Sequence, residues 1–228
     1  MSYLKTTTGS SFSCKETEKF ITSFGCHSLK ASSSVKSDIE VIIHDLRTGV
    51  NPLLGFSIKS QLGSASTLLN AGRTTNFVYK ISNSTLSDSD IITINAISTN
   101  SKIMDRINTI KDKSGILEFQ HLESPFFGNN LTLIDSALPT ILSEILLLYY
   151  TTSYTTMKDL VEQTTKSNPL NFDTSAKHPF YSYKMKRFLT DIALGMMPSK
   201  VWTGELDATG GYLIVKEDGD ILCYHIYN

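Results

Sequence analysis

The stretch DIEVIIHDLRTGVNPLLGFSIKSQ, Asp38 to Gln61, decides the fold. Asp38 to Asp45 alternates with Ile39, Val41 and Ile43 on one face, the period of a half-buried strand. Thr48-Gly49 and Asn51-Pro52 mark Leu46 to Pro52 as a turn. Leu53 to Gln61 resumes the alternation, with Leu54, Phe56 and Ile58 inward. Two such strands pair antiparallel with their apolar faces aligned, because a slip of one residue turns one apolar set into solvent. That condition places Asp38 opposite Lys59 and Glu40 opposite Ser57. Asp38, Glu40, Ser57, Lys59 and Gln61 then share one polar face.

Carboxylates beside a lysine are what metal-assisted phosphodiester hydrolysis requires. Carboxylates bind Mg²⁺, which holds a phosphate oxygen and acidifies a water. The lysine orients or deprotonates that water and offsets developing negative charge. Asp45 fails this test, since it lies on the apolar parity and about 20 Å along the strands from Lys59. The same pattern also suits a plain hairpin with salt bridges on its wet face. Ser57 is no hydrolase nucleophile, because no GxSxG elbow surrounds it.

Working outward, Ser13-Cys14-Lys15-Glu16 has capping-box spacing with Ser13 as N-cap, and a short helix runs from there to Phe24 and Gly25. Lys30 to Ser37 reads as a loop. Gly63 to Gly72 is another loop, Thr75 to Ile81 a third strand, and Ile91 to Ile97 a strand-like segment. Ile103, Ile107 and Ile110 make a helical stripe, and Gly115 to Leu122 a strand. Asp135 to about Thr165 is helical, broken near Thr151 to Ser153, and a further helix spans about Pro179 to Leu194. Gly211 to Tyr227 is a hairpin turning at Asp218-Gly219. The expectation is an α/β fold with a mixed central sheet and flanking helices. Residues 1–125 form its core, and residues 126–228 add a helical segment and the terminal hairpin, packed on the same domain.

The 228 residues suffice for a substantial core. No apolar run is long enough to cross a bilayer, and the N-terminus has no secretory pattern. Cys14, Cys26 and Cys223 are an odd number without CxxC spacing, which implies reduced thiols and a cytoplasmic protein. Cys26-His27 has no second pair at zinc spacing. A net charge of -1 argues mildly against a nucleic-acid partner, but clustered carboxylates hide a local basic surface in that total.

LRTGVNPLLGFSIKSQLGSASTLLNAGRTTNFVYKI, Leu46 to Ile81, resembles the central block of the HpaII-type restriction endonucleases. FGCHSLKASSSVKSDIEV, NNLTLIDSALPTIL, HPFYSYKMKRFLTDIALGMMP and GGYLIVKEDGDILCYHIYN resemble the same family, in one order along nearly the whole chain. The resemblance implies the PD-(D/E)xK nuclease fold, a helix, three strands, a helix and a strand. It also implies a Mg²⁺-dependent type II enzyme, acting as a homodimer on double-stranded DNA at a short palindrome, CCGG in the family prototype. The motif positions fall on Asp38, Ser57 and Lys59, and the serine departs from the acid usual there. Glu40 is one replacement ligand, Glu16 or Glu18 on the first helix another, and Gln61 a weak one. Members of the family are longer at both ends, so the chain is expected to be a shortened one.

Arg73, Asn70, Thr74, Thr75 and Asn76 lie between the second and third strands and are of the types that reach phosphates and base edges. Arg73 leads them as the basic residue of that loop. His178, Lys184, Lys186 and Arg187 form a basic helix suited to phosphate contact or to plain solvation. His44 lies toward the turn, away from any catalytic position.

Overall fold

The computed structural model describes residues 14–25, 35–61, 69–83 and 85–225. It is a mixed α/β structure that divides into two compact units. The first comprises residues 1–68, 192–196 and 205–228, and the second residues 69–191 and 197–204.

In the first unit, helix α1 (Lys15–Ser23) is followed by strands β1 (Ile39–Ile42) and β2 (Leu53–Ser60). The N-cap of α1 is Cys14, whose sulfur accepts from the Thr17 hydroxyl at 3.0 Å, rather than Ser13, which lies outside the described residues. Gly25, at φ +79°, closes the helix as its sequence position suggests.

Strands β5 (Gly211–Val215) and β6 (Ile221–His225) complete a four-stranded sheet in the order β1-β2-β5-β6. The β2–β5 pair is parallel and the other two are antiparallel. A parallel pair needs a long crossover, and here the second unit lies within the connection. The terminal hairpin turns through Lys216 to Asp220, with Gly219 at φ +95°.

Two expectations for the first hairpin change. Ile39 pairs with Phe56, Glu40 with Gly55 and Val41 with Leu54, so the register is displaced by two residues from the one expected. The turn sets it: Asp45 N–H bonds the Val50 carbonyl at 3.0 Å, and Asp45 Oδ1 accepts from Arg47 N–H at 2.8 Å. An Asx-type turn of this kind closes the hairpin tightly. Polar parity survives the shift, since it is by two. Of the expected inward set, Phe56 is fully buried, whereas Ile39, Val41, Ile43 and Ile58 are 37–41% exposed. For the β1 residues the reason is position, because β1 is an edge strand.

The second unit holds a separate two-stranded sheet, β3 (Phe77–Ser82) with β4 (Ile116–Leu122). The third strand therefore does not join the hairpin's sheet. Its helices are α2 (Asp88–Ala96), α3 (Lys102–Asp112), α4 (Pro125–Ile134), α5 (Leu138–Thr151) and α6 (Met157–Ser167). Helix α7 (Phe180–Leu194) runs from this unit into residues grouped with the first.

The segment Ile91 to Ile97, expected as a strand, is the body of α2. Ser87 and Asp90 form a capping box there, with Asp90 N–H reaching Ser87 Oγ at 3.3 Å and Ser87 N–H reaching Asp90 Oδ2 at 3.0 Å. Helix α4 had no counterpart in the expectation, although Ser124 caps it and Pro125 opens it. Phe127, Leu131, Leu138, Ile141, Met185 and Phe188 are among the buried core residues of this unit. Buried Asn130 donates to the carbonyls of Met197 and Lys200 and accepts from Trp202 N–H, which ties residues 197–202 to α4. Among the described residues no single helix is long and apolar enough to cross a membrane.

Candidate active site

The β1–β2 hairpin presents Asp38 just before the first paired residue of β1. Asp38 N–H donates to the Phe56 carbonyl at 2.8 Å, and Ile39 also faces Phe56, so two successive residues meet one across the pair. This is the geometry of a β-bulge, a device that re-aims a side chain. The Asp38 carboxylate turns onto β2, where Oδ2 accepts from Ile58 N–H at 2.6 Å and from the Ser57 hydroxyl at 3.2 Å. Asp38 thus faces Ser57 and Ile58 rather than Lys59. Oδ1 has no protein partner among the described residues.

Ser57 is 1% exposed, so its hydroxyl is a buried donor to that carboxylate. Lys59 lies two residues further along β2 on the same side, half-buried. Glu40 is exposed and faces Gly55 instead of Ser57. Gln61 is exposed, and its N–H extends the β2–β5 pairing by bonding the Val215 carbonyl at 2.8 Å.

Gly55 is required where it stands. A Cβ there would come 2.2 Å from the Asp207 carbonyl oxygen and 2.9 Å from the Ser37 side chain. Its bare backbone admits the segment leading into β5: Gly55 N–H reaches Thr209 Oγ1 at 3.3 Å and Gly210 N–H reaches the Gly55 carbonyl at 2.7 Å. Asp207 Oδ2 in turn accepts from Lys36 N–H at 2.8 Å. Lys36 is half-buried, and burial followed by the neighbouring Lys59 charge pushes its ammonium below the usual lysine range, against the pull of Asp38 and Asp207.

Tyr212 pairs with Ser57 across the parallel strands and so lies on the same face. Its hydroxyl is buried without a partner among the described residues, and burial pushes the phenol up to about 12. Sequence reasoning overlooked Lys36, Asp207 and Tyr212. For Lys36 the signal was available, since it precedes Asp38 by two residues in the sequence. For Asp207 and Tyr212 there was none, because both depend on a parallel pairing between segments far apart in sequence.

The remaining predicted residues fall elsewhere. Glu16 is exposed and Glu18 half-buried on α1. Among the described residues no three His, Cys, Asp or Glu side chains gather into a metal-holding group, so Glu16 and Glu18 do not close a cage around Asp38 and Glu40. The available donors are carboxylate oxygens. Mg²⁺ is commonly held by one or two carboxylates with waters and substrate phosphate oxygens, so this donor set fits a hard cation shared with substrate and not a protein-only zinc site. Asp45 serves its turn, where the Thr48 hydroxyl and the Arg47 N–H hold its carboxyl below the usual range. His44 Nδ1 bonds Asn51 Oδ1 at 2.7 Å.

In the second unit, Arg73 to Thr75 form a short 3-10 turn. The Thr75 hydroxyl is shared between the Asn70 and Gly72 carbonyls, both at 3.1 Å, and the Asn76 amide donates to Glu123 at 2.8 Å. Thr75 and Asn76 therefore shape the loop. Arg73 and Thr74 are exposed, and Asn70 is exposed as well. On the basic helix, Lys184 is ion-paired with Asp135 and lies over the Phe172 ring, and Arg187 approaches buried Asp191 at 3.9 Å. Part of that helix's positive charge is accordingly used within the fold.

A mixed α/β structure whose sheet includes an antiparallel hairpin with an aspartate and an S-x-K strand is consistent with the restriction-endonuclease type. The chain belongs to the HpaII restriction endonuclease family, whose family model matches residues 1–228. Over 229 residues it is 52% identical to the type II restriction enzyme HpaII of Haemophilus parainfluenzae, covering 100% of this chain and 63% of that enzyme. No solved structure matches the chain.

Proposed function

We propose that this chain carries a Mg²⁺-dependent type II endonuclease site that hydrolyses phosphodiester bonds of double-stranded DNA at a short palindrome of CCGG type. The observation that carries the proposal is the Asp38 carboxylate, held onto β2 by Ile58 N–H and the Ser57 hydroxyl, with Lys59 two residues beyond Ser57 on that strand. The type II activity named for the 52% identical relative supports it.

Asp38 is the first metal ligand and Glu40 the second, because Ser57 brings a hydroxyl where an acid is usual. Glu16 and Glu18 are the reserve donors, and Gln61 a weak one. Mg²⁺, when bound, supplies Lewis acidity toward the phosphate and lowers the pKa of the attacking water. Lys59 orients that water, takes part in removing its proton and offsets negative charge as it develops. Ser57 keeps Asp38 in place by donating to Oδ2. Arg73 and Thr74 are the leading DNA contacts of the second unit, with Asn70, Thr75 and Asn76 shaping or extending that surface. A palindromic target is matched by a two-fold dimer, so the working form is a homodimer.

A second reading has its own support: a chain that binds the site without cutting it. Ser57 leaves one usual metal-ligand position without a carboxylate. Incubation with plasmid DNA and Mg²⁺ or Mn²⁺ separates the two. Discrete fragments support the endonuclease, and a shifted band with intact plasmid supports the binding-only chain.

A further inference from the structure

We propose that the exposed face of helix α7, made by Tyr183, Lys186 and Arg187, is a binding surface for the sugar-phosphate backbone of duplex DNA. It rests on the endonuclease reading and extends it to a surface of the second unit that contacts DNA without reading sequence.

Residues 174–190 contain Lys177, Lys184, Lys186 and Arg187 and no aspartate or glutamate, in a chain whose net charge is -1. The fold sorts the cations that lie on α7. Tyr181, Met185, Phe188 and Ile192 are 1–4% exposed and seat the helix on the core. Lys184, at the edge of that face, is ion-paired with Asp135. Tyr183, Lys186, Arg187 and Thr190 are the exposed residues, at helical spacing, so they form one stripe away from the core. The Thr190 hydroxyl bonds the Lys186 carbonyl at 2.9 Å, which leaves the tyrosine and the two cations to face outward. Arg187 approaches Asp191 only to 3.9 Å, and its side chain stays 59% exposed. Among the described residues none of the ion pairs includes Lys186.

A face that only meets solvent looks different in the same unit. Helix α6 exposes Lys166 beside Glu162, one turn apart at 2.9 Å, so the two charges offset each other. On α7 two adjacent cations share their stripe with no acid, and Tyr183, 62% exposed, stands one turn before both. An open tyrosine ring leaves apolar area in water, and tyrosine is a residue type that interfaces bury. Cations with a phenolic donor and no exposed acid complement a polyanion, and the substrate of a restriction endonuclease is one. Lysine and arginine neutralise its phosphates, and a tyrosine hydroxyl donates to phosphate oxygens.

The test measures the affinity of the full chain for two duplexes, one carrying the target and one without it. Fluorescence anisotropy with a metal chelator present, across a salt series, gives the slope of log K against log [salt]. Lys186→Gln is expected to lower that slope by about 0.9, and the double variant Lys186→Gln, Arg187→Gln by about 1.8. Both reductions should be equal on the two duplexes, because phosphate contacts carry no sequence information. The double variant takes the cation from buried Asp191, so the single one decides the matter if the double fails to fold. Lys158→Gln, which removes an exposed charge from α6, is expected to keep the parent slope. Lys186→Gln with the parent slope overturns the surface, and so does a shifted monomer–dimer equilibrium in sedimentation without a change of slope, since the face then meets a second copy. An equal fall in Lys158→Gln overturns it too, because the loss then follows net charge. Each of these leaves the endonuclease proposal standing. A parent chain without salt-dependent affinity for either duplex overturns that proposal together with the surface.

Discussion

Asp38 reaches its position through two hydrogen bonds onto one of its oxygens, and these have different consequences when disturbed. In Asp38→Asn the amide oxygen can still accept from Ile58 N–H, so the fold should persist while the charge that holds metal is gone. Cleavage is expected to fall by at least about a hundredfold, a loss of roughly 3 kcal/mol of transition-state stabilisation. Steady-state cleavage assays beside circular dichroism check it, and an Asp38→Asn enzyme with parent activity contradicts the assignment. Ser57→Ala removes a buried donor but leaves Ile58 N–H in place. It should cost about 1 kcal/mol of stability in chemical denaturation. A larger loss would mean that Ser57 has partners beyond Asp38. Ser57 and Lys59 were legible in the sequence as one face of β2, whereas Asp38 meets Ser57 and Ile58 through hydrogen bonds made just before β1. The pairing of the two strands was not legible, because the Asp45 turn that sets the register depends on side-chain hydrogen bonds to the backbone.

At the scale of elements, the hairpin is held to β5 through Gly55. Gly55→Ala forces a methyl against the Asp207 carbonyl, a backbone atom with little room to yield. Overpacking of this kind costs about 1–3 kcal/mol, and Gly55→Ala should show it as a lowered denaturation midpoint. Helix α2 has a separate test. Ser87→Ala deletes its cap at a cost of about 0.5–2 kcal/mol. Asp90 is held below the usual carboxylate range first by Ser87 N–H, then by the Ser87 hydroxyl, then by Lys113. A lowered folded-state pKa gives stability that is present above the unfolded value and lost as pH falls through the folded one. The gap in melting temperature between the parent and Ser87→Ala should therefore be full near neutral pH and narrow below about pH 4. The isoleucines of Ile91 to Ile97 suggested a strand, since β-branched residues favour strands, and the capping box overrode them. Helix α4 was hidden for a similar reason: Gly128, Asn129 and Asn130 are poor helix formers, and tertiary contacts of Asn130 compensate.

The whole molecule comprises a sheet unit carrying the candidate active site and a larger helical unit carrying the Arg73 turn. The order of elements along the chain was largely readable from periodicity. The assembly of the sheet was not, because β5 joins β2 from a segment about 150 residues away. Periodicity reports which face of a strand is apolar and carries no information about its partner. The chain spans 63% of the length of its Haemophilus relative, so its own activity has to be measured on this chain. The most direct measurement is digestion of a defined duplex containing CCGG sites by the parent and by Lys59→Ala, with Mg²⁺ present and the product ends sequenced. The parent is expected to give fragments with uniform ends at one short palindrome, and folded Lys59→Ala to give none. Cleavage by Lys59→Ala at the parent rate, or at the same ends, would contradict the assignment of the chemistry to this hairpin.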